Sequence, residues 1–207
     1  MIPVVGRQEP AAFDQVVRQP GTAFISANPP TARLPALWRN IRKELHAAYG
    51  GICAYTCMYI LPPGSVDHFL PASKFRHLAY EWSNYRLACT QANLYKGDST
   101  EVIDPLLVRE GWFIIDFPSC LVRPAADLPQ QIKEQIEKSI EVLKLNRADH
   151  FVQERCDIIL EFLGGHLTLD FLFRRYPFLG REIERSGGRE ALVNVFRHRP
   201  NDASARD

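Results

Sequence analysis

Residues 65–96 read SVDHFLPASKFRHLAYEWSNYRLACTQANLYK, and this segment decides the expected fold. Residues 65–70 follow a Pro-Pro-Gly turn and are typical of a short strand, while residues 85–89 alternate in polarity as a second strand does. Residues 72–83 carry aromatic anchors without a regular period and predict a connecting loop. Thr90 is a suitable N-cap for a short helix through Lys96. The segment therefore predicts a strand, a loop, a second strand and a helix.

Four polar side chains occupy defined places in this order. Asp67 and His68 fall at the end of the first strand, Asn84 precedes the second strand, and Asn93 lies in the first helical turn. A metal-dependent phosphodiesterase needs an imidazole that activates water, oxygen ligands for a hard cation, and an amide that holds the histidine loop still. The alternative is purely structural: Asp67 caps a turn, His68 is a buried hydrogen-bonding residue, and the asparagines are loop and cap residues.

With these residues in place, the stretch 53–96 resembles the HNH endonucleases. It has the Asp67-His68 pair, an asparagine sixteen residues after the histidine, and a third polar ligand nine residues later, where the family usually has a final histidine. The string AYEWSN and the Asn-x-x-Lys ending at Lys96 are similar to bacterial members, including the HNH subunits of Septu-type anti-phage systems. The resemblance implies an α+β fold with a treble-clef-like HNH, or ββα-metal, nuclease core and flanking helices.

The resemblance also implies a role for each residue of the motif. His68 would be the general base that takes a proton from the attacking water, and Asn84 would orient the histidine or its loop. Asp67 and Asn93 would bind one divalent ion. Because the amide oxygen of Asn93 is a harder ligand than imidazole, we expect a preference for Mg²⁺ or Mn²⁺ over Zn²⁺ or Ni²⁺.

The expected substrate of such a nuclease is DNA. Lys96 and Arg86 are candidates for contacts with phosphate, although each has a structural alternative. By the same resemblance the protein would be an effector of antiviral defence, and any ATPase sensor would be a separate subunit, because the chain has no P-loop motif. The expected location is cytoplasmic, because the sequence shows no signal peptide. The alternatives are a catalytically degenerate HNH-fold module that binds nucleic acid or a protein partner, and an RNA-cleaving nuclease.

Three cysteines stand where many relatives of this type hold a structural zinc with two Cys-x-x-Cys pairs. Here the pairs are incomplete: Cys53 and Cys57 are separated by three residues, and Cys89 is followed three positions later by Ala92. Three thiols are one ligand short of a closed tetrahedral site. We therefore expect buried thiols that fill space, with a zinc ion as the less favoured alternative.

Outside the motif the pattern is mainly helical. A hairpin is expected over residues 112–123, followed by helices with apolar faces in 132–143 and 151–163, and a short helix over 189–196. We expect these to form a C-terminal helical lobe. The predicted organisation is an N-terminal arm over 1–34 with one short helix near 11–17, an HNH core over 35–124, the lobe over 125–196, and a disordered tail over 197–207.

Charge and hydropathy limit the possible partners. The chain has 207 residues and a formal net charge of +1, so nucleic-acid binding would need a local basic cluster. Arg39, Arg42 and Lys43 form one such group beside the apolar stripe of a predicted helix; they are either a solvated face or contacts to phosphate. Neither a signal peptide nor an apolar run of about eighteen residues is present, so no membrane partner is expected.

Overall fold

The computed structural model describes residues 1–197, without the side chains of residues 148, 149 and 197. The expected α+β class is confirmed: about 47% of the chain is helical, and the strands form two small antiparallel sheets. The first sheet pairs β1 with β2, and the second pairs β3 with β4. The strands are β1 (Ser65–His68), β2 (Tyr85–Ala88), β3 (Phe113–Asp116) and β4 (Leu121–Pro124).

Helices surround both sheets. The α-helices are α1 (Gln19–Ala27), α2 (Arg42–Ala48), α3 (Thr90–Lys96), α4 (Gln130–Val142), α5 (Gln153–Leu163), α6 (Leu169–Arg175), α7 (Pro177–Arg185) and α8 (Gly188–Arg197). Shorter π- and 3₁₀-helical turns cover Asp14–Arg18, Leu37–Ile41, Arg76–Leu78, Trp82–Asn84 and Ala148–Val152. Across residues 1–197, none of these helices combines the length and apolar character that a membrane span requires.

Residues 65–96 have the predicted order of β1, loop, β2 and α3. In the antiparallel pair, Asp67 lies opposite Arg86 and His68 lies opposite Tyr85. One detail of the prediction is wrong, because the N-cap of α3 is Cys89 rather than Thr90. The Cys89 Sγ accepts a hydrogen bond from the Ala92 N–H at 3.4 Å, so a thiol satisfies one of the free donors at this helix end.

The N-terminal region is more helical than the sequence suggested. Instead of one short helix near 11–17, a continuous helical segment runs through Asp14–Arg18 and α1. Phe13 and Val17 have no exposed surface and pack in one core with Tyr80 and Tyr85. The predicted irregular arm over 1–34 is therefore corrected, since part of it supplies the core under the first sheet. The predicted tail began at Arg197, and its remaining residues, 198–207, lie outside the described residues.

A second and larger core joins the remaining elements. It contains Phe113 and Val122 from the second sheet and Ile136, Ile159 and Ile183 from the C-terminal helices. The expected hairpin is present as β3 and β4, and it forms a sheet separate from the first one. Apolar packing thus continues from the strands into the helices that follow.

Candidate active site

A cleft of about 540 Å³ lies where β1, α3 and the start of α2 meet. Asp67, His68 and Asn93 all line this cleft, so the fold brings together three of the four motif residues. Its lining also includes Trp38 and the polar or charged residues Arg39, Arg42, Ser65, Ser73, Thr90 and Asp98. The polar cleft, and not an apolar pocket, is the candidate active site.

His68 is held in one orientation by its Nε2 atom. Nε2 lies 2.9 Å from the backbone oxygen of Ala79. A carbonyl oxygen can only accept a hydrogen bond, so Nε2 carries the proton and Nδ1 keeps its lone pair in the neutral ring. The ring packs edge-on against Trp38 and Tyr85, with centroid distances of 4.6 and 5.1 Å.

The surroundings of His68 also favour its neutral form. Burial lowers the pKa of His68 below its ordinary value of 6.5, and this effect exceeds the opposing influence of the Ala79 hydrogen bond and the Asp67 charge. The imidazole is therefore unprotonated near pH 7. An imidazole with a fixed proton on Nε2 and a free Nδ1 can accept a proton from water.

Asn84 braces the loop that holds His68. Its side-chain oxygen accepts from the Leu70 N–H at 2.8 Å, and its Nδ2 donates to the carbonyls of Leu70 at 2.9 Å and Leu78 at 3.2 Å. Leu70 follows His68 by two residues, and Leu78 precedes Ala79, the hydrogen-bond partner of His68. One buried amide therefore ties both sides of the histidine environment together.

Asp67 is buried, and each of its two carboxylate oxygens accepts from one donor. The Tyr55 hydroxyl donates to its Oδ2, and the Lys96 ammonium lies 3.1 Å from its Oδ1. The Lys96 side chain has no exposed surface and also donates to the His68 carbonyl at 2.9 Å. Burial and the neighbouring Asp67 charge raise the pKa of Tyr55 well above its ordinary value, so the phenol stays protonated and remains a donor.

Asn93 has its amide nitrogen turned towards β1. Nδ2 donates to the Ser65 hydroxyl at 2.6 Å and to the Val66 carbonyl at 3.3 Å. These bonds leave Oδ1 as an acceptor without a hydrogen-bond partner within residues 1–197. Of the two oxygen-bearing side chains proposed as metal ligands, Asn93 is therefore the less engaged.

Asp67 and Asn93 are the two side chains of the motif that could supply oxygen ligands to a divalent ion. Among the described residues there is no cluster of three or more His, Cys, Asp or Glu side chains that could hold a metal. One carboxylate and one amide oxygen, from Asp67 and Asn93, still suit a hard ion such as Mg²⁺, which keeps several waters and takes few protein ligands. The Lys96 ammonium compensates part of the Asp67 charge, which lowers the attraction for any cation.

Two residues expected near phosphate have other partners. Arg86 is buried and forms a two-point ion pair with Asp104, at 2.8 Å from Nε to Oδ1 and 2.6 Å from Nη2 to Oδ2. It does not line the cleft. Arg86 holds the loop after α3, where Asp104 also accepts from the Leu106 N–H, and its contact with substrate stays a prediction. Lys96 is likewise enclosed, and its direct partner is Asp67.

The three cysteines of the expected zinc region accept hydrogen bonds from backbone groups. Cys53 Sγ accepts from the Cys89 N–H and Cys57 Sγ accepts from the Ile2 N–H, both at 3.3 Å. Burial by itself would raise the pKa of Cys53, but hydrogen bonds from Cys89 and Thr56 bring it down to about 6. Burial raises the pKa of Cys57. The loop 53–57 also carries Tyr55, the hydroxyl donor to Asp67.

Sequence reasoning missed several residues of the site because they lie outside the motif. Tyr55 precedes Asp67 by twelve residues, and Trp38 precedes His68 by thirty. Their signal in the sequence is only that of ordinary apolar and aromatic positions. Arg39 and Arg42 were noted as a basic group, but only the fold places them on the wall of the cleft.

Comparisons with known proteins add no family to this description. A scan against protein-family models finds no match to this chain. A search of curated proteins finds no match either.

Proposed function

We propose that this protein is a metal-dependent endonuclease of the HNH type that hydrolyses phosphodiester bonds in DNA. The observation that carries the proposal is the state of His68. Its Nε2 is committed to the Ala79 carbonyl, its ring is kept neutral by burial, and it shares one cleft with Asp67 and Asn93. We also propose that β1, β2 and α3 form the ββα-metal core, which agrees with their order and antiparallel pairing.

In this proposal each side chain has one task. Nδ1 of His68 accepts a proton from water as the water oxygen bonds to phosphorus and the bond from phosphorus to the 3′ oxygen breaks. Asn84 keeps the imidazole and its loop in place. Asp67 and Asn93 would hold one Mg²⁺ or Mn²⁺, which when bound neutralises charge on the phosphate and the leaving oxygen. A place in anti-phage defence, with a separate ATPase subunit, rests on the Septu resemblance alone.

A second candidate function is supported by the Lys96–Asp67 ion pair. A buried ammonium at 3.1 Å already balances the carboxylate that would attract the metal. A module that keeps the scaffold only to bind nucleic acid or a protein partner has no need of a cation, and such an internal pair would suit it. Cleavage of RNA remains an alternative within the enzyme class.

The test is a nicking assay on supercoiled plasmid with Mg²⁺, using the wild type and His68→Ala. General base catalysis contributes about 10²- to 10⁴-fold, so we expect His68→Ala to slow nicking by at least about a hundredfold. His77→Ala is the matched control, because His77 is an exposed histidine of the same loop. Equal rates for wild type and His68→Ala would contradict the proposed base. Tight DNA binding by wild type without cleavage would favour the binding module.

A further inference from the structure

Two arginines stand on the wall of the cleft beside the candidate base. Arg39 lies in the 3₁₀ turn Leu37–Ile41, and Arg42 is the first residue of α2. Both line the same cleft as Asp67 and His68. Trp38, which precedes Arg39, packs against the His68 ring at 4.6 Å and fixes this segment next to the motif.

Neither guanidinium has a partner within the part of the chain that the structure describes. Several arginines outside the cleft form ion pairs: Arg18 with Glu9, Arg86 with Asp104, Arg174 with Asp170, Arg181 with Glu110, and Arg185 with Glu182. In contrast, Arg39 and Arg42 form neither an ion pair nor a side-chain hydrogen bond in residues 1–197. The Nε of Arg42 is buried and has no acceptor, which is unfavourable for a charged N–H donor.

The acidic residues of the cleft do not balance these two charges. Asp67 is paired with Lys96 at 3.1 Å, and Asp98 is paired with Lys74 at 3.5 Å. Each of the two lining aspartates is thus balanced by a lysine outside the lining, which leaves Arg39 and Arg42 as local charges without a counter-ion in a chain whose formal net charge is only +1. Local charges of this kind attract a polyanion to one face of a nearly neutral protein.

We propose that Arg42, assisted by Arg39, binds a backbone phosphate of the nucleic acid next to the one that is cleaved. The proposal rests on the proposed nuclease function and adds the residues that hold its substrate. A guanidinium presents several N–H groups in a planar fork and bonds phosphate oxygens at two points. Phosphate contacts of this kind set the register of the strand without reading its sequence.

Binding of a fluorescent 20-base-pair DNA duplex in the presence of EDTA tests this without any cleavage. The variants are Arg42→Gln and the control Lys43→Gln, which removes the same charge from the neighbouring, exposed position of α2. Loss of one phosphate contact should raise the dissociation constant for Arg42→Gln on the order of tenfold and lower the slope of log K against log salt by about one. Lys43→Gln should change affinity less than about twofold.

A thermal melt separates binding from a structural role. Because Arg42 forms no hydrogen bond or ion pair in the described structure, Arg42→Gln should melt within about 2 °C of the wild type. Equal affinities for wild type and Arg42→Gln, equal losses in Arg42→Gln and Lys43→Gln, or no duplex binding by wild type would each overturn the inference. If DNA binding depends on Arg42 but the protein never nicks DNA, the phosphate contact of Arg42 is supported and the proposed nuclease function is contradicted.

Discussion

At the scale of single residues, the site depends on buried polar groups that satisfy one another. Asp67, Lys96 and Tyr55 are all almost fully buried, and the ammonium and phenol both donate to the carboxylate. A buried carboxylate is tolerated only when such donors are present. The sequence predicted Asp67 as a site residue but could not predict its partners, because they come from a separate loop and from the far end of α3.

The Tyr55 hydroxyl provides a test of this arrangement. Tyr55→Phe leaves Asp67 Oδ2 without its donor, and we expect it to lower the free energy of unfolding by about 1–3 kcal/mol, measured by urea denaturation. The Mg²⁺ concentration for half-maximal nicking should change as well, since Tyr55 orients a proposed ligand. Tyr59→Phe is the control, because no hydrogen bond to its hydroxyl is present in residues 1–197. Equal unfolding curves for Tyr55→Phe and wild type would show that this bond contributes nothing.

The nature of the two proposed metal ligands leads to a second prediction. Asp67 and Asn93 offer only oxygen donors, and hard ions prefer such donors. After chelation of the purified protein, Mg²⁺ or Mn²⁺ should restore plasmid nicking, and Zn²⁺ should not. In Asn93→His, an imidazole replaces the amide oxygen, and activity with Zn²⁺ or Ni²⁺ should rise relative to Mg²⁺. Restoration of the wild type by Zn²⁺ alone would contradict the ligand assignment.

At the scale of elements, the local sequence pattern predicted secondary structure well between residues 65 and 96. The strands β1 and β2 and the helix α3 occur close to their predicted positions, because polarity, turn residues and a helix start all agreed there. The helical region around α1 was missed because Pro20 and Gly21 resemble helix-breaking residues. Pro20 is instead the second residue of α1 and directly follows the π-helical turn Asp14–Arg18.

Gly21 lies in α1 where the helix packs against Tyr80, and a substitution there tests this contact. In most helices Gly→Ala is stabilising by about 1 kcal/mol. Here an added Cβ would overlap the ring of Tyr80, whose hydroxyl is fixed by a hydrogen bond to the Pro35 carbonyl at 2.9 Å. We expect Gly21→Ala to destabilise the protein by about 1–3 kcal/mol in a thermal melt. Gly6→Ala, with no atom within 4 Å of the added Cβ, should have little effect. A rise in melting temperature for Gly21→Ala would show that Tyr80 can move aside.

At the scale of the whole molecule, the core does not divide where the sequence suggested. The larger hydrophobic cluster contains Tyr55 and Ala92 near the site and continues through Phe113 and Ile136 to Ile183 in α7. The predicted boundary near residue 125 therefore has continuous apolar packing on both sides. Such long-range packing has no local signature, so the periodicity of each helix could be predicted but not its neighbours.

The site shows the same limit on prediction. The four motif residues were chosen for their residue types and short spacing, and in the fold three of them line one cleft while Asn84 braces its loop. The ion pair of Arg86 with Asp104 could not be predicted, because the two residues are eighteen positions apart and share no local pattern. The basic wall supplied by Arg39 and Arg42 depends on how α2 packs against β1, which only the fold determines.

The pH dependence of plasmid nicking tests the central claim that His68 is the general base. Only the neutral imidazole can accept a proton, and burial places the pKa of His68 below 6.5. The nicking rate in Mg²⁺ should therefore stay above half of its maximum as pH falls from 8 to 6.5, and drop to half only below that value. The residual rate of His68→Ala should lack this step. A half-maximal rate at or above pH 7, or the same acidic step in His68→Ala, would contradict the account.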